Sequence, residues 1–251
     1  MHRRGTMSRV FVTGDTHGGH DIRKLTRRQF SEQKDLTKDD FVIILGDFAV
    51  PWFSFTRISP EKWTGEDKYW LDWYNLKNFT TLFVDGNHDN HPALASFPVV
   101  EWHGGKVHKL ADSVYHLMRG QVYEINGKKF FVMGGATSVD KHTRTEGISW
   151  WPEEIPSYQE LEEGMVNLEK VNFEVDYVLS HCCATTYASL LLKRQADPDT
   201  LTSFFEHLET DFNLKYDHWY FGHYHQDTSI GSKHTCLYNT IVEVTKDEYK
   251  D

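Results

Sequence analysis

Five short apolar runs, each ending in a side chain that binds metal or moves protons, constrain this chain more than any other feature. Arg9-Val10-Phe11-Val12-Thr13 leads into Gly14-Asp15-Thr16-His17, and Phe41-Val42-Ile43-Ile44-Leu45 leads into Gly46-Asp47. Thr81-Leu82-Phe83-Val84-Asp85 leads into Gly86-Asn87-His88-Asp89. Asp176-Tyr177-Val178-Leu179-Ser180 leads into His181, and His218-Trp219-Tyr220-Phe221 into Gly222-His223-Tyr224-His225. A short continuous apolar run bounded by glycine reads as a buried strand. Strands that stop at such glycines deliver Asp, Asn and His to the rim of a sheet. A glycine at the joint leaves room for a ligand or a neighbouring backbone to come close.

These residue types define a chemistry. In an extended segment, residues i and i+2 point to the same side, so Asp15 with His17, and His223 with His225, can each grip an ion or ions at the rim. Asp47 and Asn87 add oxygen ligands and His181 adds nitrogen. Seven mixed groups exceed what one divalent ion takes, whereas two ions sharing a carboxylate use them well. Mixed imidazole and carboxylate suits Mn, Fe, Zn or Ni rather than Ca or Mg, with Mn preferred here. A pair of metals about 3.5–4 Å apart suits in-line displacement at phosphorus, with hydroxide available near neutral pH. His88 is then left over as a proton donor to a leaving alkoxide, with Asp89 beside it to hold the imidazole in the right tautomer.

The motifs Gly14-Asp15-Thr16-His17-Gly18, Gly46-Asp47, Gly86-Asn87-His88-Asp89, His181 and Gly222-His223-Tyr224-His225 resemble those of the calcineurin-like metallophosphoesterases. The resemblance spans residues 9–225 in order. It implies an α/β fold, a four-layer α/β/β/α sandwich with metals at the C-terminal rims of the strands. It implies that Asp15, His17 and His225 hold one metal, that Asn87, His181 and His223 hold the other, and that Asp47 bridges them. His88 then faces the leaving group as acid or charge stabiliser, with Asp89 as its partner. Gly46-Asp47-Phe48-Ala49-Val50-Pro51-Trp52 departs from the protein serine/threonine phosphatases of this family, because the arginine that grips phosphate in that branch is absent.

Between the motifs, the pattern predicts a helix over Asp21–Phe30 whose basic residues Arg23, Lys24, Arg27 and Arg28 form a solvated face. It predicts a second helix over Glu66–Phe79, with an aromatic stripe of Tyr69, Trp70 and Trp73 toward the core. The connection over residues 48–66, rich in aromatics and carrying Pro60, reads as a cover for the sheet, with base stacking as the alternative. His91–Phe97 reads as a short helix or turn. Short strands follow at Val99–Trp102, Val107–Leu110 and Val114–Met118, then a hairpin around Asn126-Gly127. Helices are expected at residues 157–171, with a Ser157/Glu160 capping box, and at 199–210, capped by Asp197 or Asp199. Residues 226–245 read as a β meander around Gly231-Ser232. The stretch after Val132-Met133-Gly134-Gly135 brings His142 and Arg144 forward as candidate phosphate contacts. The expected organisation is a single domain over residues 1–251, with residues 1–8 as a disordered or extra N-terminal segment and Met7 as an alternative start.

Composition narrows the partners. A formal net charge of -10 argues against a binder of duplex DNA, which needs a basic footprint. Cys182, Cys183 and Cys236 do not make a disulfide framework, and no apolar run has the length of a membrane span. A cytoplasmic location is expected. The reading is a dinuclear metal-dependent phosphoric ester hydrolase that cleaves a P–O bond of a small phosphorylated or nucleotide substrate by metal-bound hydroxide. The rivals are a phosphodiesterase or nuclease acting on nucleic acid, and a non-catalytic scaffold of the same fold.

Overall fold

The computed structural model describes residues 7–56, 58 and 63–244. The expected N-terminal segment lies mostly outside these residues, as does Pro60 of the long connection. Two sheets are stacked. The first has the order β13-β1-β2-β3-β6-β5-β4 and the second β11-β12-β10-β9-β8-β7. In the first, β1 (Val10–Thr13), β2 (Phe41–Leu45), β3 (Thr80–Val84) and β6 (Val114–Leu117) run parallel, flanked by β5 (Gly105–Ala111) and β4 (Val99–Trp102) on one edge and β13 (Ile241–Glu243) on the other. In the second, β8 (Lys128–Met133), β9 (Tyr177–Ser180), β10 (His218–Phe221) and β12 (His234–Cys236) run parallel, with β7 (Gln121–Ile125) and β11 (Thr228–Ile230) antiparallel at the edges.

Period-two alternation explains why the sheets stack as they do. Val10, Val12, Ile43, Leu82 and Val84 pack between the sheets against Phe130, Val132 and Leu179. The residues between them, Phe11, Val42, Ile44 and Phe83, face the other way, under helix α1 (Gly65–Asn75). On the second sheet Phe131, Met133, Val178, Trp219 and Phe221 face outward beneath α3 (Tyr158–Lys170), α4 (Thr185–Leu192) and α5 (Thr200–Thr210). Strands buried on both faces read as unbroken apolar runs, which is what the sequence displays. The result is an α/β fold of two mixed sheets flanked by helices, as expected.

Several local features match their sequence signals. Ser157 and Glu160 form a reciprocal capping box, which starts α3 so that Leu161, Gly164 and Leu168 face the core. Asp199, not Asp197, caps α5. Asn126 and Gly127 both adopt positive φ between β7 and β8, as a two-residue hairpin requires. The short helix α2 (His91–Ser96) is capped by Asn90.

Others differ. Residues 21–30 form only a 3-10 turn, Ile22–Leu25, because the Thr26 hydroxyl and amide both bond the Arg23 carbonyl and end it. Lys24 leaves the solvated face and is buried, its ammonium donating to the carbonyls of Asp15 and Tyr238. On α1 the core residues are Leu71 and Tyr74, with Trp70 and Trp73 at their flanks, while Tyr69 is exposed. That helix stops at Asn75, whose carbonyl and side chain are held by Ser113. The C-terminal meander splits between the sheets: β11 and β12 pair as a hairpin, but β13 crosses over to pair antiparallel with β1. Helix α4 escaped the sequence reading. It is apolar on most sides and has no side-chain cap, so it carries neither an amphipathic period nor a start signal.

Candidate metal centre

All seven candidate ligands lie at the C-terminal ends of β1, β2, β3, β9 and β10, on one rim of the stacked sheets. Asp47 sits in the middle. Its Oδ2 is 3.2 Å from His17 Nε2 and its Oδ1 is 3.2 Å from His181 Nε2. The His88 backbone N–H also donates to Oδ1, at 2.7 Å. On one side, Asp15, His17, Asp47 and His225 bring ligand atoms within 4.8 Å of one another, a group able to hold a metal ion. On the other, His181 Nε2 lies 3.2 Å from Asn87 Oδ1, and the rings of His181 and His223 are 5.0 Å apart.

The backbone is not extended at four of the seven candidate ligands. His17, Asp47, His223 and His225 adopt φ of 44°, 49°, 67° and 51°. Left-handed conformations of this kind cost on the order of 1–3 kcal/mol each and cluster at functional sites. The consequence corrects the simple i, i+2 picture. His223 turns toward His181 while His225 turns toward Asp15, so the Gly-His-Tyr-His segment serves both halves of the centre.

Glycine permits the crowding. A Cβ on Gly86 would collide with the Asp47 carboxylate and with His181. A Cβ on Gly222 would collide with the Asp15 carboxylate.

The donor set fits divalent cations. Asp15 is fully buried; its Oδ1 accepts the His223 N–H, while its Oδ2 makes no well-aligned hydrogen bond among the described residues and has only His225 Nε2 nearby, at 3.0 Å. A buried carboxylate oxygen without a donor is costly unless a cation faces it. The field also draws positive charge. Burial opposes charging of His17 and His181, but Asp47 outweighs it and lifts them to about 9 and about 10. Burial would likewise raise Asp47, yet His181 and His17 hold it well below the usual carboxylate range. Cations compete for the sites those protons occupy. His223 is half-buried; desolvation and the neighbouring His181 push it down to about 4, so it offers a neutral imidazole.

Hydrogen bonds beyond the ligands set their orientation. His181 Nδ1 donates to the Leu45 carbonyl at 2.7 Å, which leaves Nε2, beside Asp47, as the nitrogen that offers a lone pair once a cation displaces its proton. His17 Nδ1 pairs with Asp21 at 2.7 Å, and Asp21 also accepts from the Tyr238 hydroxyl at 2.9 Å. The Tyr238 ring stacks on His225, with centroids 4.6 Å apart. Asn87 donates to Ser138 at 3.1 Å, which turns its carbonyl oxygen toward His181. Asp21, Tyr238, Ser138 and Lys24 were missed by the sequence reading. Asp21 was findable, four residues after His17; Tyr238 carries no local signal.

The pairing of Asp89 with His88 is corrected by the structure. The Asp89 carboxylate accepts the backbone N–H groups of Gly86 at 2.7 Å, Ala49 at 2.7 Å and Phe48 at 3.3 Å, and it makes no hydrogen bond to His88 among the described residues. Asp89 therefore ties the loop after β3 to the loop after β2. Burial and the nearby Asp47 push it up to about 7.

His88 lies 5.5 Å ring to ring from His17 and 6.1 Å from Trp52, and burial lowers its pKa, with Arg144 adding to the effect. Arg144 is pinned by Asp140 at 2.7 Å, and His142 is exposed in the adjoining 3-10 turn. Of the aromatic connection, Phe48 and Val50 pack in the core under α1 and Phe55 packs on Trp63, as a cover does. Trp52 is the exception, reaching Trp151 and His88.

Residues 8–227 match the calcineurin-like phosphoesterase family, and the chain belongs to it. Among solved structures, phosphopantetheinyl hydrolase from Mycobacterium tuberculosis is similar at 15% identity and a TM-score of 0.46, over 93% of this chain and 90% of that one. A putative 5'-nucleotidase from Staphylococcus aureus is similar at 15% identity and a TM-score of 0.49, over 93% of this chain and 48% of that one. None of the curated proteins matches the chain. No helix among the described residues is long and apolar enough to cross a membrane.

Proposed function

We propose that this protein is a dinuclear metal-dependent phosphoesterase acting on a small phosphorylated or nucleotide substrate. The observation that carries the reading is Asp47, whose two carboxylate oxygens face His17 and His181 at the same 3.2 Å. Asp15, His17 and His225 would hold one cation, Asn87, His181 and His223 the other, and Asp47 both. Mn²⁺ is the preferred pair, with Fe, Zn or Ni as alternatives. When bound, the cations supply Lewis acidity toward a phosphoryl oxygen and acidify a water.

The chain's own groups do the rest. Leu45, Asp21 and Ser138 orient His181, His17 and Asn87. His88 stands beside His17, half-buried, where its ring N–H donates a hydrogen bond to the leaving oxygen and, in the imidazolium form, gives it a proton. Asp89 contributes indirectly, by holding the loops that carry Asp47 and His88. Arg144 adds positive potential on the His88 side, where a phosphate gathers negative charge.

The test is hydrolysis of p-nitrophenyl phosphate and of bis-p-nitrophenyl phosphate with Mn²⁺, then with EDTA, beside the Asp47→Asn variant. Turnover that needs metal and is lost in Asp47→Asn is expected, and the preferred ester decides between mono- and diesterase. Turnover that survives both EDTA and Asp47→Asn would overturn the mechanism.

A further inference from the structure

A cavity of about 270 Å³ opens beside the candidate metal centre, with His223 among its lining residues. It lies between the loop after β8, one side of α4 from Thr185 to Leu192, and the segment leading into α5. Its floor is apolar: Ala136, Cys182, Ala188 and Ala196 are each buried. Arg194 and Asp197 also line the cavity, and several of the other polar groups of the wall pair with one another. Thr185 and Thr202 share a hydrogen bond at 3.1 Å, and Asp199 is taken by the Thr137 hydroxyl at 2.6 Å and by the first turn of α5. At the mouth stand two apolar side chains open to solvent, Val139 at 83% exposure and Leu192 at 39%. Single exposed apolar residues need no explanation. Two of them at the mouth of an apolar cavity that shares a wall with a candidate metal ligand do.

We propose that this cavity binds the organic group of the substrate, and that the protein acts on phosphoesters carrying a compact apolar chain. The proposal rests on the phosphoesterase reading and specifies its substrate class. With phosphate against the ligand set, His223 is the shared wall across which the ester's carbon chain enters the cavity. The volume is just below the roughly 300–1,000 Å³ of cavities that enclose whole drug-sized ligands, so it accommodates one substituent rather than a complete nucleotide. Two larger cavities occur elsewhere, one at the N-terminal ends of β2 and β3 and one along the β1–β13 edge, and neither is lined by any candidate ligand. They are poor competitors for a group attached to the reacting phosphorus.

The test compares methyl, butyl and hexyl phosphates, and the corresponding p-nitrophenyl diesters, with Mn²⁺-loaded protein. Each methylene that enters an apolar cavity is expected to raise kcat/KM roughly fourfold until the cavity is full. Ala188→Phe fills the floor and Leu192→Trp covers the mouth. Both are expected to collapse the hexyl-to-methyl ratio toward one. Leu192 is partly exposed, so that variant preserves the fold if the buried substitution does not. A hexyl-to-methyl ratio near one in the unaltered protein, or an undiminished ratio in Leu192→Trp, would overturn the proposal. Hexylphosphonate binding by calorimetry separates the two readings. If no ester turns over, yet Leu192→Trp weakens hexylphosphonate binding tenfold or more, the phosphoesterase reading falls and the cavity assignment stands. Equal binding by both proteins sinks the cavity assignment.

Discussion

Tyr238 is a single side chain that touches both histidines of the Asp15 half, directly by stacking on His225 and through Asp21 to His17. Partners that orient metal-bound histidines are commonly worth 10–100-fold in metal affinity or activity. Tyr238→Phe keeps the stacking and loses only the hydrogen bond to Asp21. It is expected to weaken Mn²⁺ affinity about tenfold, measured by calorimetric titration of the metal. Gly86→Ala places a methyl group against Asp47 and His181, so bound metal and activity are expected to fall together, with metal content read by elemental analysis. His88 acts on the leaving oxygen in the proposed mechanism. His88→Gln is therefore expected to lower kcat by about 10²–10⁴ on alkyl esters. The loss should be much smaller on p-nitrophenyl esters, whose leaving group needs no proton. Equal losses on both would remove His88 from that role.

Elements decide how these side chains are held. Each ligand-bearing loop begins where a parallel strand leaves the ladder, so the strands set the height of the ligands and the loops their direction. Asp89 and Lys24 bind the loops together, the first through three backbone amides and the second through the Asp15 and Tyr238 carbonyls. The outer helices do a different job. Helix α3 covers the face of the second sheet away from the centre, and its capping box satisfies two of its N-terminal amides. Ser157→Ala is expected to cost about 1 kcal/mol, seen as a lower thermal midpoint with no change in metal affinity. The element that sequence missed, α4, walls the cavity beside His223 and presents Leu192 at its mouth.

Across the whole molecule, a buried polar network behind the metal centre governs the response to acid. His108 Nδ1 meets His116 Nδ1 at 3.0 Å, His116 Nε2 meets Asp85 at 3.0 Å, and Arg119 donates to Asp85 at 2.6 Å and to His91 at 3.3 Å. Burial, with Arg119 adding, pushes His91 down to about 3; burial and His116 push His108 down to about 4. The unfolded chain therefore binds these protons first, near pH 6.5, and stability falls as pH drops from there toward 4, by at most about 1.4 kcal/mol per pH unit for each histidine. Asp85 does not share in that loss. Arg119 and His116 overcome its burial and hold it far below the ordinary carboxylate value, so its contribution is intact between pH 7 and pH 5 and is lost progressively only as pH falls from about 3.8 through that low value. Denaturant midpoints at pH 7 and pH 5 should show the drop, and His108→Asn should reduce it.

Much of this was legible in the chain itself. Alternating apolar residues in unbroken runs determine strands buried on two faces, and the Asp, Asn and His residues at their ends place a candidate metal-ligand set on one rim, because strand chemistry and ligand chemistry are both local. Distance along the chain hid the rest. Asp47 stands between His17 and His181 only because β2 lies next to β1 in one sheet while β9 lies in the other. Left-handed turns at His223 and His225, set by packing around Gly222, send neighbouring histidines to opposite halves of the centre. Asp89 bonds backbone amides from two loops rather than the adjacent imidazole. Tyr238 reaches the centre because β13 crosses to the first sheet and draws the preceding segment against His225. Local physics determined which groups were available, and long-range packing decided which of them meet.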